Sequence, residues 1–286
     1  MCHRHPQLGT ARTFLFVPAS RPERITKAVA TLADIVIVDL EDAVAPSEKG
    51  AARTALVDWL NANAEKRIAV RVNATDTVWH EDDILACSHL GVVGIMLPKA
   101  ESAGQIGHVV DVSGKPVIPI IETGCGLDAI AEIASAPGCA RLSFGKLDLA
   151  VELDLVPDES DSEELVFLPY RAMLVLASQR AKLPAPVDGV FTNISDTVAL
   201  IRYAQRGRRH GFGGMLLIHP TQVEPASTAF TPSREDVEWA KAVRVAAAAA
   251  GGGAVVFNGR MIDSPVIVRA NRILAATELA TEGEGV

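Results

Sequence analysis

Eight short runs of β-branched and aliphatic residues recur along the chain, separated by stretches with helical spacing. They cover Thr13–Val17, Ile35–Asp39, Ile68–Val72, Val92–Leu97, Val117–Ile121, Arg141–Phe144, Val187–Phe191 and Met215–Ile218. Most are apolar at nearly every position, the pattern of parallel strands that are covered on both faces. Helical patterns fall at Arg24–Leu32, Lys49–Asn63, Leu127–Ala134, Leu165–Ala181 and Thr197–Arg206. Strand–helix alternation repeated this often predicts an α/β fold closed into a (β/α)8 barrel.

Polar residues follow most of the runs: Glu41 and Asp42, Arg71 and Asn73, Lys99 and Glu101, Glu122, Asp148, and His219. A single one is ordinary loop chemistry. Recurrence at successive strand ends predicts a shared site, because the carboxyl ends of barrel strands converge on one mouth.

The pattern changes past His219. Ser233 reads as the N-cap of a helix that runs into the alanine tract Ala246–Ala250, with Gly251, Gly252 and Gly253 ending it. An extended piece, Ala254–Phe257, leads through Asn258-Gly259 to a last amphipathic helix over Pro265–Ala280. The expected organisation is a barrel over residues 1–225 and a C-terminal helical extension over 226–286, which packs on the barrel or on a neighbouring subunit.

Composition narrows the partners. The chain has 286 residues, 49% of them hydrophobic, and a net charge of −8. A large core is affordable, and broad nucleic-acid or anionic-membrane binding is not expected. Cys2, Cys87, Cys125 and Cys139 form no CxxC pair, which suggests a reducing, cytoplasmic setting. The first residues carry no apolar signal segment, and no run is long enough to span a membrane. His3 and His5 read as part of a polar tail.

Glu122 and Asp148, after the fifth and sixth runs, are hard oxygen donors of the kind Mg2+ prefers. Glycines 124, 126 and 145 beside them allow close backbone approach. Arg71 either grips a carboxylate and a developing enolate or forms a salt bridge to a neighbouring acid. Glu41 and Asp42 either order water near a metal or cap a loop, with Lys49 in reach of both. Arg21, Arg24 and Lys27 share one side of an opening helix and suit a phosphate-bearing ligand, or else a solvated face. His80–Asp83 (HEDD) reads as a solvated helix start rather than a metal box. No glycine-rich nucleotide motif follows a strand.

Several segments together resemble the citrate lyase β-subunit-like branch of the HpcH/HpaI aldolase family, which includes malyl-CoA, citramalyl-CoA and citryl lyases. They are RTFLFVPAS (12–20), DIVIVDLEDAV (34–44), RVN (71–73), MLPKAES (96–102), IIETGCGL (120–127), FGKLDLAVEL (144–153), GFGGMLLIHPTQV (211–223) and GRMIDSP (259–265). The resemblance implies a TIM barrel, a homotrimer, and Mg2+ held by Glu122 and Asp148. It implies that Arg71 meets substrate near the metal with Glu41 and Asp42 close by. It further implies that Phe16, Lys27 and the backbone at Ile218–His219 contact coenzyme A, and that Asp263 reaches across a subunit interface. Ala19 stands where the family more often has glycine, and Glu23 where some relatives carry a lysine. The implied activity is Mg2+-dependent cleavage of a 3-hydroxyacyl-CoA to acetyl-CoA and a 2-oxo acid. Three alternatives stand beside it: a class II aldolase acting on free 2-oxo acids, a citrate lyase subunit acting on a carrier-protein thioester, and a non-catalytic CoA-binding barrel.

Overall fold

Alternation of side chains along each strand decides which residues fill the barrel and which face its helices. The computed structural model describes residues 8–156, 164–249, 255–257 and 260–281. Two compact units divide at Phe230/Thr231. In the first, eight parallel strands close in sequence order: β1 (Thr13–Pro18), β2 (Ile35–Asp39), β3 (Ile68–Arg71), β4 (Val92–Leu97), β5 (Val117–Ile121), β6 (Ser143–Phe144), β7 (Val187–Asp188) and β8 (Gly214–Leu217).

Phe14, Ile35, Ile37, Ala69, Met96, Ile118, Ile120, Val187 and Leu216 point inward and fill the barrel. Their neighbours Leu15, Val36, Val38, Val70, Ile95, Ile121 and Leu217 point outward into a second core beneath the helices. Every strand is therefore buried on both faces, which is why the runs read as continuously apolar. Arg141, expected within the sixth strand, lies just before β6. Its guanidinium donates to the carbonyls of Leu8, Ala11 and Ala185, and packs over Phe14.

The barrel's helices are α1 (Pro22–Ala28), α2 (Lys49–Ala62), α3 (His80–Ala86), α4 (Ala103–Ser113), α5 (Gly124–Asp128), α6 (Ile130–Ser135), α7 (Lys146–Glu152), α8 (Leu168–Arg180), α9 (Thr197–Arg209) and α10 (Val223–Phe230). The first ends four residues before the predicted Leu32, where the Thr31 hydroxyl donates to the Ala28 carbonyl at 2.6 Å. Helix α4 is not among the helices expected from the sequence, although Ile106 and Val109 are its buried face. A capping box of Ser102 with Gln105 starts it, and Gly114, at φ +68°, stops it.

The second unit holds α11 (Arg234–Ala249), β9 (Val255–Phe257), β10 (Arg260–Ile262) and α12 (Ser264–Thr281). Ser233 Oγ accepts from Asp236 N at 3.0 Å, the expected cap of α11. Helices α11 and α12 share a small core of Ala240, Val243, Ile262, Ala270 and Leu274. The predicted stop at Gly251–Gly253, the Asn258-Gly259 turn, and the His3/His5 pair lie outside the described residues. No helix among the described residues is long and apolar enough to cross a membrane.

Candidate functional site

Two-residue alternation carries the inward faces of β2 and β3 past the apolar filling to Asp39 and Arg71. The strand register sets these two residues side by side. Arg71 Nε donates to Asp39 Oδ1 at 2.7 Å and Nη2 to Asp39 Oδ2 at 2.6 Å, a bidentate pair. Arg71 Nη1 lies 2.9 Å from Glu41 Oε2 and 3.4 Å from Asp42 Oδ2. The guanidinium also stacks 4.8 Å from the centre of the Phe16 ring. Burial opposes the charge on Arg71, but Asp39 and then Glu41 and Asp42 outweigh it and hold its pKa above the usual value. Of the two readings of Arg71, the salt bridge to neighbouring acids is the one observed, and it fixes the guanidinium at the barrel mouth.

Asp39 is the residue that sequence reasoning passed over. It closes an apolar run in the sequence, and its parity with Ile35 and Ile37 points it inward. The same carboxylate accepts the backbone N–H groups of Glu41 at 2.9 Å and Ala43 at 3.1 Å, so it also shapes the turn after β2. Lys49 pairs with the side-chain carboxylate of neither Glu41 nor Asp42. Its buried ammonium donates to the carbonyls of Leu40 and Glu41, both at 2.8 Å. Burial raises the Glu41 carboxyl to about 7, against Arg71 and with help from Asp42 and Asp39.

The alternation Ile118, Ile120 brings Glu122 to the same mouth after β5, and the chain after β6 enters α7 with Asp148 in its first turn. Both carboxylates line a cleft of about 330 Å³ with Lys99, Thr123, Leu147, Val151 and Glu152. Glu122 is only 4% exposed, and its Oε1 accepts the Lys99 N–H at 2.8 Å. Lys99 makes that donation from a left-handed backbone, φ +48°. Burial, then the charge of Asp148, lifts Glu122 to about 8; the Lys99 N–H pulls the other way.

A buried acid facing a second acid across an open cleft is costly unless a cation joins them. Gly145 makes the packing possible: a Cβ there would overlap Glu122 Oε2 and lie 2.6 Å from Glu122 Cβ. The donor set is hard oxygen, and it suits Mg2+.

The remaining predicted residues are placed differently. Arg21 precedes α1 as its cap, and Arg24 and Lys27 lie exposed along it; among the described residues none of the three forms an ion pair. Ile218 is exposed after β8, but the backbone N–H groups of Ile218 and His219 both donate to Gln222 Oε1, at 2.9 and 3.2 Å. Any contact there falls to the Ile218 side chain, the carbonyls or the His219 ring. Asp263 belongs to the second unit, where its Oδ1 accepts the Val266 N–H at 3.4 Å at the start of α12. The solvated helix start expected at His80–Asp83 fits Glu81 and Asp82 only. His80 and Asp83 are buried, and Asp83 accepts from the backbone and side chain of Asn73 and from Arg53.

A buried network missed from the sequence holds the start of α7. Glu164 receives Lys146 Nζ at 2.6 Å, Arg171 Nη2 at 2.8 Å and Arg206 Nη2 at 3.1 Å. Arg171 Nε reaches Asp188 Oδ1 at 3.2 Å. Lys146 opens α7, so the network fastens the helix that carries Asp148. Little in the sequence signals it, because its members come from α7, the segment before α8, α8, β7 and α9.

Comparison with known proteins finds relatives along most of the chain. The family model described as HpcH/HpaI aldolase/citrate lyase matches residues 12–220. A citrate lyase subunit beta-like protein of Mycobacterium tuberculosis is 37% identical over 276 residues, 94% of this chain and 96% of that protein. A (3S)-malyl-CoA thioesterase of Cereibacter sphaeroides is 36% identical, covering 93% of this chain and 94% of its own length. A crystal structure of CitE from Mycobacterium tuberculosis, in complex with magnesium, acetoacetate and coenzyme A, superposes with a TM-score of 0.83. That match has 36% identity over 94% of this chain and 99% of the other.

Proposed function

Because this chain belongs to the HpcH/HpaI aldolase/citrate lyase family and is a magnesium-dependent carbon–carbon lyase, we propose that its substrate is a 3-hydroxyacyl thioester of coenzyme A, cleaved to acetyl-CoA and a 2-oxo acid. Citramalyl-CoA, malyl-CoA and citryl-CoA are the members of that class to test. The observation that carries the reading is the pair Glu122 and Asp148 facing one cleft, with Arg71 fixed at the same barrel mouth. Glu122 and Asp148 would hold Mg2+, which supplies a Lewis acid for the hydroxyl and carboxylate of the departing 2-oxo acid.

The chain's own residues divide the remaining work. Arg71, oriented by Asp39, supplies a fixed positive charge for the enolate that forms on the thioester when the carbon–carbon bond breaks. Glu41 and Asp42 set the charge around that guanidinium, and Glu41, held near 7, can keep a proton at neutral pH. The substrate hydroxyl gives up its proton to solvent as the carbonyl of the 2-oxo acid forms, and Asp263, contributed by a neighbouring subunit of a homotrimer, protonates the enolate carbon to complete acetyl-CoA, so one proton is lost and one gained. Arg21, Arg24 and Lys27 meet the phosphates of coenzyme A, with Phe16, Ile218 and His219 along the rest of the carrier. A basic cluster on an acidic protein is what an anionic carrier needs, and a free 2-oxo acid does not require it.

The test is a product assay with the three thioesters, each with and without Mg2+. Release of a 2-oxo acid with acetyl-CoA is expected, and it should be lost in EDTA and in Glu122→Gln. Tight several-kcal/mol stabilisation by a metal predicts a loss on the order of a thousandfold in kcat for that variant. Release of free thiol with the hydroxy acid intact would instead indicate hydrolysis, the activity that the name of the Cereibacter sphaeroides relative describes. Full activity in EDTA would overturn the metal assignment.

A further inference from the structure

Outside the barrel mouth, α3 and α4 bring together a second set of metal-binding groups: His80, Glu81 and His108. One ligand atom from each lies within 4.8 Å of the others. His108 Nε2 sits 2.8 Å from Glu81 Oε1, and the two imidazole rings stack with centroids 6.4 Å apart and planes 28° from parallel. Two of these side chains are substantially exposed, and a solvated ion pair would account for them alone.

His80 is the independent observation. It is 2% exposed, at the first position of α3, and its Nδ1 is 2.7 Å from the Asn73 carbonyl. A carbonyl only accepts, so Nδ1 carries the hydrogen and Nε2 carries the lone pair. That Nε2 is buried and has no hydrogen-bond partner. A lone pair in that state costs free energy unless something binds it. An imidazole whose second nitrogen donates to a backbone carbonyl is also how proteins orient histidines that ligate metals.

We propose that His80, Glu81 and His108 form a binding site for a transition-metal ion such as Zn2+, which fastens α3 to α4 on the outer face of the barrel. Two imidazoles and one carboxylate form a borderline donor set that suits Zn2+, with a fourth position left for water. The oxygen-only pair at the mouth suits Mg2+, so the two sites select different ions. The same Asn73 that orients His80 through its carbonyl donates its side-chain amide to Leu40 O and Asp83 Oδ2. An ion on His80 therefore stiffens the segment that follows Arg71.

The test is calorimetric titration of the full-length protein with Zn2+ in saturating Mg2+, which occupies the carboxylate site. One Zn2+ per chain is expected, and Mg2+ alone should not compete for it. His108→Ala and Glu81→Gln replace side chains that are about half exposed or more, so both variants should fold as the parent does. Each should weaken that Zn2+ affinity on the order of a hundredfold, since even outer partners of a metal ligand are worth 10–100-fold. Co2+ should report the same site by its visible absorption, lost in both variants. Absence of Zn2+ binding in the parent protein, or binding unchanged in both variants, would overturn the proposal.

Discussion

Burial of Glu122 opposite Asp148 creates a proton-linked equilibrium that solution measurements can read. Desolvation, aided by the charge of Asp148, moves the carboxyl from an ordinary value of 4.5 to about 8. The metal-free folded protein therefore holds a proton on this group that the unfolded chain releases near pH 4.5. Stability from that proton is fully present below 4.5 and is lost as pH rises towards 8. Mg2+ competes with the same proton, so its binding releases protons and strengthens with pH. We expect the rise in Tm on adding Mg2+ to grow steadily from about pH 6 to about pH 8. Glu122→Gln should remove that growth and make the metal-free protein less sensitive to rising pH. Glu41, held near 7 by burial, contributes its own slope to both proteins. A Mg2+ effect independent of pH across this window would mean that Glu122 is not the ligand.

Strands, more than helices, made the site readable before any coordinates. Six of the predicted runs differ from the observed strands by a residue or less at each end, or not at all: β1, β2, β3, β4, β5 and β8. Their continuous apolar character leaves few other structures open. Inward parity then places Phe16, Asp39, Arg71 and Glu122 at one mouth, Asp39 among them although it closes an apolar run. The end of β7 was harder to read: the run continues to Phe191, but Asp188 Oδ1 accepts the Gly189 N–H and the strand stops there. The buried cations of α8 and α9 were not legible at all, since Arg171 and Arg206 look like surface residues of helical segments. Only tertiary packing reveals them, and Gly207 is the trace it leaves: a Cβ there would come 2.8 Å from Asp188 Oδ2. Glu164 receives three cationic side chains, and Lys146 among them opens the helix that bears Asp148. Glu164→Gln should cost about 3–5 kcal/mol in urea unfolding, the effect of breaking a buried pair and stranding its partners. A loss below 1 kcal/mol would show that water reaches these groups and screens them.

At the scale of the whole molecule, the proposed chemistry draws on both units of the chain. Residues 3–230 carry Glu122, Asp148 and Arg71, whereas Asp263 belongs to the unit built on α11 and α12. In a cyclic homotrimer the C-terminal unit of one subunit can serve the barrel of the next, and this can be tested by mixing variants. Asp263→Asn would leave a barrel able to hold Mg2+ but deprive its neighbour of the proton donor. Glu122→Gln would leave Asp263 intact and disable its own barrel. Each homotrimer should be inactive. In trimers co-assembled from equal amounts, an active site needs a sound barrel from one subunit and a sound Asp263 from the next, so activity should return to about one quarter of the parent's. If Asp263 served its own barrel, no mixed trimer would contain a complete site, and activity would stay at the level of the separate variants. Sedimentation of the co-expressed protein, with the two variants distinguished by mass, would verify that mixed trimers had formed. Verified mixing without recovered activity would exclude the contribution across the interface, and a monomer in sedimentation would exclude it outright.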